Sequence, residues 1–151
     1  MDLNNTKYIV LELIPTSLNP EKGLIIQLSA LKLEGLKLLD RFDYRLKEEL
    51  NPYPQMLEMF SYDKDSFTYK DTKEEILNDF TKWAEDLPLL ILDNQYTPKY
   101  LASLSNQQES ILKYLNEEYQ DDIIEKIINK YNLEPSNYIV DLLYEALIKE
   151  L

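Results

Sequence analysis

Three β-prone apolar runs follow one another closely near the N-terminus, and no other feature constrains the fold as tightly. Lys7–Leu13 is a compact apolar run rich in β-formers and reads as a buried strand. Leu24–Leu33 reads as a second strand, with Ile26, Leu28 and Ala30 on one face and Ile25, Gln27 and Ser29 on the other. Glu34-Gly35 is a tight turn into a third strand, Leu36–Leu46. Connections this short join antiparallel neighbours, because parallel strands need a long crossover.

The periodicity then changes. Leu50–Lys70 is irregular, with Pro52, Pro54 and several aromatics. Thr72 and Glu75 form a capping box, and the helix behind it carries Ile76, Leu77, Phe80, Trp83 and Ala84 as a stripe. Pro88 leads into a short apolar strand, Leu89–Leu92. Thr97 as N-cap, with Pro98 at the first helical position, opens a helix through Tyr100, Leu101 and Leu104. Ser110–Leu115 is ambiguous. Asp121–Tyr131 is helical, with Ile123, Ile124, Ile127, Ile128 and Tyr131 on one face. Pro135-Ser136 opens a last helix that turns Ile139, Leu142, Leu143, Ala146 and Leu147 inward. Three strands, a helix, a further strand and then helices make an α/β chain whose mixed sheet is covered by helices.

Length and composition narrow the chemistry. The chain of 151 residues has no repeat or linker and suits one domain, 1–151, around one core. It contains no cysteine, so disulfides, thiolate metal sites and cysteine nucleophiles are excluded, which fits a reducing cytoplasm. It contains no histidine, the commonest general base and metal ligand. No apolar run approaches the ~20 residues of a membrane span, and the N-terminus lacks the regions of a signal peptide. The net charge of −12 repels phosphate and favours a basic partner protein, unless it serves solubility alone or metal ions screen the phosphate at a nuclease site.

Glu12-Leu13-Ile14-Pro15-Thr16-Ser17-Leu18-Asn19-Pro20 resembles the first motif of the DEDD (DEDDh-type) 3′–5′ proofreading exonucleases, D-x-E-T-T-G-L followed by N-P. Leu24 through Lys32 resembles the family's second strand, R-I-I-E-I-G-A-V-K, at ungapped spacing. Arg41-Phe42 and Asn51-Pro52 match its R-F and N-P, and Thr72–Phe80 resembles the helix before its second motif. The resemblance covers essentially the whole chain. It implies an RNase H-like fold: a mixed five-stranded sheet, its first three strands antiparallel, flanked by helices.

In that family four acidic side chains hold two divalent metals, Mg2+ or Mn2+, which activate water for in-line phosphodiester cleavage, and a histidine serves as base. Carried across residue by residue, the set is damaged. The first Asp corresponds to Glu12, one methylene longer, and a misplacement of about an ångström can cost ~100-fold in rate. The second acid corresponds to Ile14, which cannot ligate metal. The second motif, H-N-x-x-F-D, falls on Asp93-Asn94-Gln95-Tyr96-Thr97, one residue short, with Thr97 in place of its Asp. The third motif, H-x4-D, overlays Ser136 through Asp141, replacing the histidine and keeping the Asp. The nucleotide-contacting turn becomes Thr16-Ser17-Leu18, without its glycine, and Asn94 joins it as a substrate-binding position.

Each of these residues also has a structural reading. Ile14 fills core or pocket, Thr97 and Ser136 cap helices, and Asp141 lies opposite its helix's apolar stripe, on a solvated face. Glu12 interrupts an apolar strand, and a carboxylate there lies at an exposed end or needs a partner. Tyr53, Tyr62, Tyr69 and Tyr96 cluster in loops, where they either stack bases or pack.

Three functions follow. One is a degenerate exonuclease, its catalysis impaired or lost, that binds a protein partner or a nucleic-acid 3′ end. Another is an active metal-dependent exonuclease with a shifted ligand set of Glu12, Asp93 and Asp141. The last is a structural subunit of a replication, repair or mobile-element complex.

Overall fold

The computed structural model describes residues 1–46, 68–70, 73–136 and 138–151. Six strands form one sheet: β1 (Lys7–Pro15), β2 (Ile25–Glu34), β3 (Lys37–Leu46), β4 (Thr68–Lys70), β5 (Leu89–Ile91) and β6 (Gln108–Ser110). Their order is β4-β3-β2-β1-β5-β6. β1 pairs antiparallel with β2, and β2 with β3; β1 with β5 and β5 with β6 are parallel. The five strands β3-β2-β1-β5-β6 are therefore the expected mixed sheet. β6 supplies the strand that no apolar run announced. β4, parallel to β3, adds a short edge inside a stretch that reads as irregular from sequence. The Asn51-Pro52 match, Pro54, Tyr53, Tyr62 and the capping residue Thr72 lie outside the described residues, as does the side chain of Tyr69.

Among the described residues five α-helices cover the sheet: α1 (Lys73–Ala84), α2 (Thr97–Tyr100), α3 (Leu112–Leu115), α4 (Ile123–Tyr131) and α5 (Ile139–Glu150). β1 is central, and its alternation divides the core in two. Ile9, Leu11 and Leu13 join Leu28, Ala30, Ile76 and Phe80 against α1 and α2. Tyr8 and Val10 join Leu31, Leu33, Ile127, Leu143 and Leu147 against α3, α4 and α5. Burial on both faces explains why β1 reads as an unbroken apolar run.

Two local details differ from the pattern. The β2–β3 turn is Gly35-Leu36, one residue later than expected, since Glu34 still pairs with Lys37. Gly35 has φ +60, where a side chain would be strained, and the Tyr8 hydroxyl donates to its carbonyl at 2.8 Å. A register shift at Ile14/Pro15 lets Ile25 pack with Leu28 and Ala30 instead of on the opposite face, as strict alternation predicts.

Candidate functional site: an internally neutralised carboxylate cluster

The face of the sheet under the start of α5 is polar, and the strand registers place the residues responsible. Glu12, Ser29 and Asp43 form one cross-strand row, Ile14, Gln27 and Arg45 the next, and Val10, Leu31 and Arg41 the row on the other side. Glu12 is only 4% exposed, although it is a carboxylate in a central strand. Its Oε1 accepts from Gln27 Nε2 at 3.1 Å, and its Oε2 accepts from the backbone N–H of Ile139 at 3.2 Å. Ile139 begins α5, so the carboxylate takes up one of the amide groups a helix start leaves unpaired. Burial nonetheless pushes the Glu12 pKa up to about 8; the hydrogen bonds from Ile139 and Gln27 oppose the rise, Asp141 adds to it and Arg41 opposes it.

Asp141, 34% exposed, is held by a cation and is not free on a solvated face. Arg41 reaches it from β3 with both terminal nitrogens, Nη1 to Oδ1 at 2.9 Å and Nη2 to Oδ2 at 3.2 Å, while its Nε donates to Asp43 at 2.8 Å. The Tyr138 ring lies under the guanidinium, 4.8 Å from Cζ to centroid. One fixed cation thus joins two carboxylates and sits close enough to bias a third.

The resemblance implies divalent metal here, and the donors do not fit it. Ile14 is buried and offers no ligand atom. Asp141 is in the fork of Arg41, and the raised pKa of Glu12 favours its neutral form. Asp93 is exposed at the end of β5. Among the described residues no three acidic side chains come together as an ion site, so Glu12, Asp93 and Asp141 do not converge as the shifted ligand set requires. Glu12 and Asp141 are brought into electrostatic reach of one another; Asp93 is not among the charges that act on Glu12.

The remaining sequence-derived positions are engaged in local structure. Thr16 Oγ1 accepts from the Leu24 N–H at 2.9 Å, and Ser17 Oγ accepts from Asn19 N–H at 3.1 Å. The Tyr100 hydroxyl donates to the Ser17 carbonyl at 2.8 Å, and Lys73 Nζ donates to the Pro20 carbonyl, so α1 and α2 both anchor this loop. Gly23 is needed for that anchoring, because a Cβ there would lie 1.7 Å from the Tyr100 hydroxyl. Leu18, at the tip, is 55% exposed. Asn94 is buried, and its Oδ1 accepts from Thr97 N–H at 2.7 Å and Tyr96 N–H at 3.2 Å. Asn94, not Thr97, therefore takes up the first amides at the entry to α2, whose N-cap residue is Tyr96. Ser136 Oγ accepts from Tyr138 N–H at 3.1 Å, in the turn before α5, whose N-cap is Tyr138. Leu18 and Tyr96 face an open cleft beside the cluster, together with Gln95, Tyr119 and Asp121.

Sequence reasoning flagged Glu12 and Asp141 and missed Arg41, Asp43, Gln27, Ser29 and Arg45 as members of the site. Their signal was present as alternating polar residues in β2 and β3. That alternation is also what a solvated sheet face looks like.

No protein-family model matches the chain, and no curated protein matches it. Solved structures do. A product-bound exonuclease I superposes with a TM-score of 0.63 at 10% identity, over 96% of this chain and 42% of that one. The zinc-bound E. coli ExoI–ssDNA complex gives 0.61 at 10% identity, over 97% and 40%. The ExoI/SSB-Ct complex gives 0.60 at 11%, over 97% and 41%. The chain has the RNase H-like fold of these structures and spans about two-fifths of the length of these proteins.

Proposed function

We propose that this is a degenerate 3′–5′ exonuclease-like domain, its metal-dependent cleavage impaired or lost, that acts by binding. The observation that carries the reading is the bidentate grip of Arg41 on Asp141. A guanidinium there supplies positive charge to the retained acid, but it has no open coordination position at which a water could be activated. Glu12 adds to the argument, since a buried carboxyl held near neutrality is a poor ligand for a hard cation. What such a domain retains is the loop at Thr16-Ser17-Leu18 and the segment at Asn94, which in this reading meet a nucleic-acid end or a protein partner. The absence of cysteine suits work in a reducing cytoplasm.

The test is a degradation assay on 5′-labelled single-stranded DNA and RNA with magnesium or manganese. The expected result is no shortening above that given by a Glu12→Ala/Asp141→Ala double variant. Shortening by the natural protein that the double variant lacks would establish a working nuclease.

A further inference from the structure

The segment between α3 and α4 reads Glu117-Glu118-Tyr119-Gln120-Asp121-Asp122. It comes up against the tip of the β1–β2 loop and the approach to α2. Between them opens a cleft of about 220 Å3 lined by Leu18, Gln95, Tyr96, Tyr119 and Asp121. Its walls are two phenol rings and one leucine, and its charged lining group is a carboxylate. Leu18 is 55% and Tyr119 40% exposed, so both present apolar surface to whatever enters. Burial first, then the charges of Tyr119 and Glu12, raise the Tyr96 pKa.

The rim sets the sign of the occupant. Lys126 and Lys130 are both taken by Glu117, at 3.0 and 3.1 Å. Among the described residues Glu118, Asp121 and Asp122 form no ion pair, and all three are exposed, as is Asp93 nearby in sequence to Gln95. A phosphate-bearing chain would meet uncompensated negative charge on this rim. The volume also lies below the roughly 300–1,000 Å3 of clefts that hold whole small-molecule ligands, and suits a single side chain.

Arginine matches these features together. Its guanidinium stacks on aromatic faces, its planar fork pairs with a carboxylate, and its methylene stem covers an aliphatic surface. We infer that the cleft between Tyr96 and Tyr119 receives an arginine side chain from a basic peptide segment of a partner, with Asp121 as its counter-ion. The net charge of −12 favours such a partner over the whole surface, and the cleft gives that attraction a specific seat. This names the chemistry of a partner for the binding role proposed above and rests on that role, but not on the state of the carboxylate cluster.

The experiment is calorimetric titration of the full chain with a peptide of alternating arginine and glycine, at physiological salt. Tyr119→Ala and Asp121→Asn should each weaken binding about tenfold, since each removes one of the two charge-directed contacts. Tyr119→Phe should retain it. Glu145→Gln, which removes an equal charge from the far part of α5, should change it less than about twofold, as expected of diffuse attraction at that ionic strength. Both cleft positions are exposed, and an unchanged thermal melt establishes that the variants fold. Equal weakening by Glu145→Gln, no binding at all, or a single-stranded oligonucleotide that binds with the same Tyr119 and Asp121 dependence would each overturn the inference. Those outcomes leave the degradation assay unaffected, so failure here is distinguishable from failure of the reading that cleavage is impaired or lost.

Discussion

Two regions of the central sheet are built on opposite principles: the layer under α1 and the patch under the start of α5. Toward α1, Leu11, Leu28, Ala30 and Phe80 pack as a dry apolar layer, with Phe42 edge-on to Phe80 at 5.5 Å. Toward the start of α5, the same three strands present Glu12, Ser29, Asp43, Gln27 and Arg45, all buried or nearly so. The Glu12 row holds polar side chains where the opposite face holds hydrocarbon. On that face Gln27 Oε1, Ser29 Oγ and Asp43 Oδ1 have no hydrogen-bond partner among the described residues. Apolar burial of about 1.5–3 kcal/mol per large side chain drives folding. Unpartnered buried polar atoms work against it by about 1–3 kcal/mol each. The difference teaches that stability resides in the two apolar cores, and that the polar rows under the start of α5 are retained for something other than stability.

The sharpest way to break that comparison is to damage the apolar face. Phe80→Ala should cost about 3–5 kcal/mol in urea unfolding, from lost transfer energy and a residual cavity. A cost below that of a variant at Glu12, Ser29 or Asp43 would reverse the assignment.

The α5 face should respond to pH instead. The folded-state pKa of Glu12 is raised to about 8, so the folded protein holds a proton that the unfolded chain releases near the ordinary carboxylate value. Stability from this group is complete below that ordinary value and is lost as pH rises through about 8. Unfolding measured from pH 5 to 9 should show a decline on the order of 3 kcal/mol, and Glu12→Gln should flatten it. An identical slope in the variant would remove Glu12 as its source.

Smaller effects come from the ion pairs. Arg41→Met should cost about 1–2 kcal/mol, since it leaves Asp43 and Asp141 without their cation in a half-exposed setting. Adding Asp141→Asn should recover part of the loss, and simple additivity in that cycle would mean the bidentate contact carries no energy. Asn94→Ala should cost about 1 kcal/mol by uncapping α2, with no effect on the pH slope.

Much of this architecture is legible in the sequence. β1, β2 and β3 follow from their apolar runs, and α1, α4 and α5 from stripes at helical spacing. β6 is not legible, because a three-residue, polar edge strand gives no period to detect. The site is half legible. Glu12 stands out because it breaks an apolar strand, and Asp141 because a motif places it. Arg41 does not, because it lies 100 residues from its partner Asp141 and because Arg41, Asp43 and Arg45 alternate as solvent-facing residues do. Only α5, which covers that face, turns the alternation into a buried cluster. Asn94 took the capping role expected of Thr97 because its side chain reaches forward to two amides at once.

The central claim is that the cluster is neutralised from within and has no place for a divalent ion. Thermal unfolding across a manganese titration, run in parallel on the natural protein and on Glu12→Ala, tests it directly. An ion that binds only the folded state raises the melting temperature progressively, with the logarithm of its concentration once the site is saturated. The account predicts no concentration-dependent rise in either protein. A rise in the natural protein that disappears in Glu12→Ala would contradict it and establish a metal site at this cluster.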